Sequence, residues 1–264
     1  MDAEKQTNTG KEALSLAGKV LIGLGEEWRL ADDQPGRTRE ELLRAYDSLY
    51  ELIRDRDYFI ITMAMDALIY ETALGSRTET VLSCEEEQAE EISCPAADEK
   101  MIELMDKLFP PKSAEHRRRD SRWERIVAPC GNETWRQCSE GCTKDIWEPG
   151  EIPDDICPHC GAPLTGNTIK ARHYIEEGCL PQWERYTRWL AGTMNREIEV
   201  LELGAGFSNP GLIRLPFEKL VYFNRKARLK RVHGALFQVP AELEGRAEGV
   251  KAFSPRWVQE LAQL

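Results

Sequence analysis

Cys138-Ser139-Glu140-Gly141-Cys142 and, after a gap of fourteen residues, Cys157-Pro158-His159-Cys160-Gly161 form the stretch from which the rest of the chain can be placed. Two close cysteine pairs on a short loop can supply four thiolates to one tetrahedral ion. The spacing therefore predicts a structural zinc site with Cys138, Cys142, Cys157 and Cys160 as ligands. The proline-led turn and the trailing Gly161 let the last two sulfurs converge on one point. Four thiolates leave no coordination position for water, so such a metal braces a fold rather than performing chemistry. Buried or bridged cysteines are the competing reading, and the spacing in a chain without a secretion signal favours zinc. His159, between two ligands, is expected to point outward.

Outward from this module, apolar or β-branched runs at 19–22, 58–61, 198–203 and 228–232 alternate with helical stretches. That pattern predicts an α/β fold, a Rossmann-like parallel sheet buried on both faces with a small zinc-ribbon module inserted into it. The expected organisation is a nucleotide-binding domain from 13–136 and 166–250, the ribbon at 137–165, and a C-terminal helix over 251–264. Within the first segment, an insertion around 84–125 carries eight acidic residues between Glu85 and Leu104 and six basic ones between Lys112 and Arg125. The two stretches can pair with each other as a solvated surface insertion, with a short helix over 101–109, or can serve a partner. A helix over 40–54 places Leu43, Tyr46, Tyr50 and Ile53 on one face, read as core packing.

Ligands of open parallel sheets sit beyond the carboxyl ends of the strands. Val20-Leu21-Ile22-Gly23-Leu24-Gly25 is a strand running into a glycine turn, a design that brings backbone amides close to a pyrophosphate. Tyr58-Phe59-Ile60-Ile61-Thr62 leads into Met63-Ala64-Met65-Asp66-Ala67-Leu68. Cys130-Gly131 precedes the first zinc cysteine, and Glu199-Val200-Leu201-Glu202-Leu203 opens into Gly204-Ala205-Gly206-Phe207-Ser208. Leu229-Lys230-Arg231-Val232 ends at His233.

In this order the motifs resemble the sirtuins, the NAD-dependent protein deacylases. The resemblance spans about residues 13–250. It sets Cys130 where the family carries its catalytic histidine, Gly206 in the serine place of a Gly-Thr-Ser loop, and His233 in place of an asparagine that contacts the nucleotide. It implies Gly23, Gly25, Thr62, Asp66, Gly204, Gly206, Ser208 and His233 as the cofactor-binding set, NAD or a related nucleotide as ligand, and an acylated or ADP-ribosylated protein as substrate. Ala64 stands where the family has an asparagine. Glu26 and Glu27 stand where it has an uncharged residue and a serine, and carboxylates beside a pyrophosphate repel it unless they turn outward or hold a cation. Only 36 residues separate Gly25 from Thr62, and the Pro-Asp-Phe-Arg segment of the family's cofactor loop has no counterpart.

Three functions follow from these residues. One is an NAD-consuming enzyme, either a protein deacylase or a protein ADP-ribosyltransferase. The others are a catalytically inactive nucleotide sensor and a zinc-braced interaction scaffold. Cys130 serves as base or nucleophile if a cation or helix end stabilises its thiolate, and is otherwise a small buried residue. His116 and His173 lie in charged stretches typical of solvated side chains.

Composition narrows the setting. The 264 residues, 41% of them hydrophobic, suffice for one sizeable core and a satellite module. A net charge of −11 argues against a nucleic-acid partner. No apolar run approaches a membrane span, and the polar first residues lack a signal-peptide core. A cytoplasmic, reducing location is expected, with Cys84, Cys94 and Cys179 as free thiols.

Overall fold

The computed structural model describes residues 18–75 and 125–263. Most of the 84–125 insertion, the expected 101–109 helix, Cys84, Cys94 and His116 lie outside the described residues.

Six strands form one parallel sheet in the order β3-β2-β1-β7-β8-β9: β1 (Lys19–Leu24), β2 (Asp57–Thr62), β3 (Ile126–Val127), β7 (Ile198–Leu203), β8 (Ala227–Val232) and β9 (Ala247–Val250). This is the 3-2-1-4-5-6 order of dinucleotide-binding sheets, whose direction of winding reverses between β1 and β7. The four expected strands lie within these, each extended by one or two residues except 198–203, which coincides.

Both faces of the sheet are covered, which is why β1 and β2 read as near-continuous apolar runs. On one face Val20, Ile22, Leu24, Ile60, Leu201 and Leu203 pack beneath α1 (Arg39–Ile53) and α4 (Ser254–Ala262). On the other, Leu21, Phe59, Ile61, Val200 and Leu229 meet α2 (Leu180–Ala191) and α3 (Arg214–Phe223). Helix α1 starts at a capping box: the Glu41 amide donates to Thr38 Oγ1, and the Thr38 amide donates to the Glu41 carboxylate. Its buried stripe is Leu42, Ala45, Tyr46, Leu49 and Ile53, whereas Leu43 and Tyr50 are only partly covered. The expected face is thus rotated by about one residue. The sequence gives the period of the stripe, but Ala45 is small enough to have been passed over as a core residue.

The second sheet is antiparallel, in the order β5-β4-β6, from β4 (Gly131–Cys138), β5 (Ile146–Trp147) and β6 (Leu164–Thr168). Its strands reach beyond 137–165 on both sides because β4 starts directly after Cys130 at the edge of the parallel sheet. Gly131 makes that turn with φ +87°, and a Cβ there would stand 2.1 Å from the Asn167 carbonyl oxygen.

Candidate functional site

The cysteine module is built by the ends of its strands. Cys138 closes β4, and Cys157 to Gly161 form a tight turn in which the Gly161 amide donates to the Cys157 carbonyl at 2.9 Å, with Gly161 at φ +75°. The four Sγ atoms lie within 4.8 Å of one another, with Cys138–Cys160 and Cys142–Cys157 at 3.5 Å. Sulfurs around a tetrahedral zinc at about 2.3 Å stand roughly 3.8 Å apart, while a disulfide needs about 2.05 Å. The donor set therefore fits a four-thiolate metal site and not a pair of bridges. His159 is exposed, with Nε2 2.9 Å from Asp145 Oδ2 and its ring stacked on Trp147.

At the switch point, the turns after β1 and β7 pack backbone against backbone. A Cβ on Gly25 would lie 2.2 Å from Ala205 Cα, and one on Gly23 would lie 2.4 Å from Ile213 Cγ2. The Gly25 amide donates to the Leu203 carbonyl at 2.8 Å. These glycines are thus required by the protein's own packing. The amides that face the cleft are engaged as well. The Glu26 carboxylate accepts from the Gly206 amide at 2.5 Å, the Ser208 amide at 3.2 Å and the Ser208 hydroxyl. Burial raises the Glu26 pKa, but these donors outweigh it and hold the carboxyl below the usual glutamate value. Glu27 turns the other way. Its carboxylate accepts from the Gly234 amide at 2.9 Å and the Ser254 amide at 2.8 Å, bracing β1 to β8 and to the start of α4. Neither side chain points out to solvent as one expectation allowed; backbone donors draw both inward.

The remaining expected site residues gather at the same end of the sheet. Thr62 is buried, and its hydroxyl accepts from the Ala64 amide at 3.1 Å. Asp66 accepts from the Leu30 amide at 2.8 Å and the Leu68 amide at 3.1 Å, tying the two turns together. His233 Nδ1 lies 2.9 and 3.0 Å from the amides of Ala235 and Leu236, which can donate to it, and 3.4 Å from Glu27 Oε1. Cys130 is buried beside Met63 and Val127. Burial pushes its thiol up against the opposing field of Arg29, and Glu26 adds to the rise. This direction favours the protonated thiol over the thiolate. Cys179 is likewise buried and raised, chiefly by burial. His173 lies apart, against Gly141 of the cysteine module.

One feature was not read from the sequence. Behind the Gly204 loop, Glu202 of β7 is fully buried and meets Arg231 of β8 at 2.6 and 2.8 Å and Arg214 of α3 at 3.4 Å. Arg231 also reaches Glu218 at 2.7 Å, and Arg214 donates to the Ala205 carbonyl at 3.0 Å. The Arg214 guanidinium stacks on Phe207 with 4.5 Å to the ring centroid. This network fixes the loop that carries Gly206 and Ser208. Its signal was a pair of opposite charges, Glu202 and Arg231, each next to last in one of two adjacent strands.

No protein-family model matches the chain. Over 92 residues it is 26% identical to a Staphylococcus aureus protein named Protein ADP-ribosyltransferase, and it spans 29% of that relative's length and 34% of its own. The structure superposes on a mutant Sir2 homologue solved in complex with ADP-ribose, at 12% identity and a TM-score of 0.50, covering 97% of this chain and 94% of the other. With its six-stranded parallel sheet, its switch point and an added four-cysteine module, the chain has the fold of that Sir2 homologue.

Proposed function

We propose that the switch-point site binds NAD or a related ADP-ribose-containing nucleotide, and that Cys138, Cys142, Cys157 and Cys160 hold a structural zinc ion that braces the adjoining module. The observation that carries the first reading is the donor cradle of the Gly206 amide, Ser208 amide and Ser208 hydroxyl, which converges on a single anion. A carboxylate of the chain holds that place, and a pyrophosphate oxygen is the ligand group of matching charge and acceptor geometry. The ADP-ribose bound to the Sir2 neighbour supports the same assignment. Gly23, Gly25, Thr62, Asp66, Gly204 and His233 then shape the cleft mainly through backbone position.

Of the two NAD-consuming reactions, transfer of ADP-ribose to a protein acceptor fits better than deacylation. The nicotinamide leaves as a neutral molecule with the glycosidic electron pair, and a carboxylate acceptor, carrying no proton, forms the new bond, so the step can proceed without a base at Cys130, whose buried thiol is poorly placed to take a proton. The name of the staphylococcal relative agrees with this choice. A second reading, an inactive nucleotide sensor, is favoured by the same thiol and by the Glu26 carboxylate in the cradle. A cytoplasmic location belongs to either reading and is supported by unbridged cysteines.

Calorimetric titration with NAD, ADP-ribose and nicotinamide tests the proposal in the natural chain and in Glu26→Gln. Weak binding by the former and tighter binding of NAD and ADP-ribose by the latter is expected. If neither form binds any of the three, the nucleotide reading fails and an interaction scaffold is left.

A further inference from the structure

The amino end of the sheet carries a second concave site, about 16 Å from the switch point by the length of β2 at roughly 3.3 Å per residue. A cavity of about 340 Å³ is lined there by Asp57, Tyr58, Phe59, Arg125, Trp189 and the pair Arg185 and Arg188. Arg185, Arg188 and Trp189 share one face of α2, at spacings of three and four residues. Trp189 is fixed by its indole hydrogen bond to Asp57 at 2.8 Å and by packing on Phe59 at 5.8 Å between ring centroids. The one carboxylate of the cavity is spoken for: Lys19 pairs with Asp57, and Arg125 lies 3.4 Å from it while stacking over Tyr58. Asp57 is accordingly ionised; burial opposes this, but Lys19 and the indole hold its pKa below the usual range.

Arg185 and Arg188 have no hydrogen bond or ion pair among the described residues. Among the described residues the cavity therefore presents Arg185 and Arg188 without a carboxylate partner, in a protein whose net charge is −11. Guanidinium forks match phosphate oxygens in charge and geometry, and three of them around one cavity favour a dianion over a single carboxylate. The volume falls at the lower end of small-molecule pockets, and Tyr58, Phe59 and Trp189 supply apolar wall for the uncharged part of such a ligand.

We propose that this cavity is a binding site for a small phosphate ester, held by Arg125, Arg185 and Arg188 and separate from the switch-point site. Two indoles report on the two sites independently. Trp189 Nε1 donates to Asp57 within the cavity, whereas Trp28 Nε1 donates to Ser254 Oγ at 3.1 Å beside Glu27. In a titration of the full chain with ribose 5-phosphate, followed by the indole amide resonances, the Trp189 signal is expected to move and saturate. Trp189→Phe assigns that signal. Arg185→Gln with Arg188→Gln should weaken the saturation at least tenfold while leaving the other indole resonances in place, which also reports that the fold is retained. Failure of the Trp189 signal to move, movement confined to Trp28, retention of affinity in the double variant, or equal movement with sulfate at matched ionic strength would each overturn the proposal.

Discussion

The cysteine module and the switch-point loops are both collections of groups that call for an opposite charge, and they meet the need differently. In the module, four thiols within 4.8 Å of one another form a donor set suited to a metal cation. In the loops, amide donors that suit a phosphate are already matched to carboxylates from the same chain. The first site is arranged to take up an outside ion, whereas the second stands without a ligand and makes any incoming anion compete.

Removing one zinc ligand should give the largest effect. Structural zinc contributes on the order of 10 kcal/mol to the folding of small modules. Cys157→Ser is expected to lose the single equivalent of zinc predicted for the natural protein and to open residues 131–168 to proteolysis while the parallel sheet persists. Zinc-free but fully folded natural protein on elemental analysis would break the contrast between the two sites.

The buried network behind the Gly204 loop is an extreme case of charge satisfied from within. Arg231→Met removes the bidentate partner of Glu202 and should lower unfolding free energy by about 3–5 kcal/mol. The double variant Glu202→Gln with Arg231→Met should recover part of that loss. Denaturant titration of the three forms measures both changes.

Glu199 tests the opposite case, a buried carboxyl whose compensation is incomplete. Burial pushes its pKa up to about 7, with Lys230 and Arg228 pulling it down and Glu248 pushing further up. The folded state then holds a proton that the unfolded chain releases at the ordinary glutamate value near 4.5. Between about pH 4.5 and 7 the folded form binds more protons, so stability contributed by this group is present at low pH and is lost as pH rises. Glu199→Gln should abolish that slope and add at most about 3 kcal/mol at pH 8, with little difference at pH 5.

The smallest expected change discriminates between the two glutamates. Glu26→Gln should tighten ADP-ribose binding about tenfold, a gain of about 1.4 kcal/mol. Glu27→Ser should instead cost stability without a comparable gain, because its carboxylate braces the Gly234 and Ser254 amides rather than the Gly206 cradle. The reverse pattern in calorimetry and thermal denaturation would exchange their roles.

By itself the sequence determined the four-cysteine cluster, through a spacing that chelation geometry makes nearly self-sufficient, and four strands of the parallel sheet. The meeting of Gly25, Thr62, Cys130 and Gly204 at one end of the sheet was also legible, since strand ends and ligand loops coincide in parallel α/β folds. What the carboxylates of Glu26 and Glu27 do was not, because adjacent residues with the same chemistry point in opposite directions once the turn is built. Glu202 and Arg231 pair across neighbouring strands although they stand 29 positions apart in the chain, so a buried charge finds its partner only through sheet register. The fate of Cys130 was decided in the same way: whether a thiol is a thiolate depends on the burial and fields of residues distant in sequence, and only the tertiary structure brings those together.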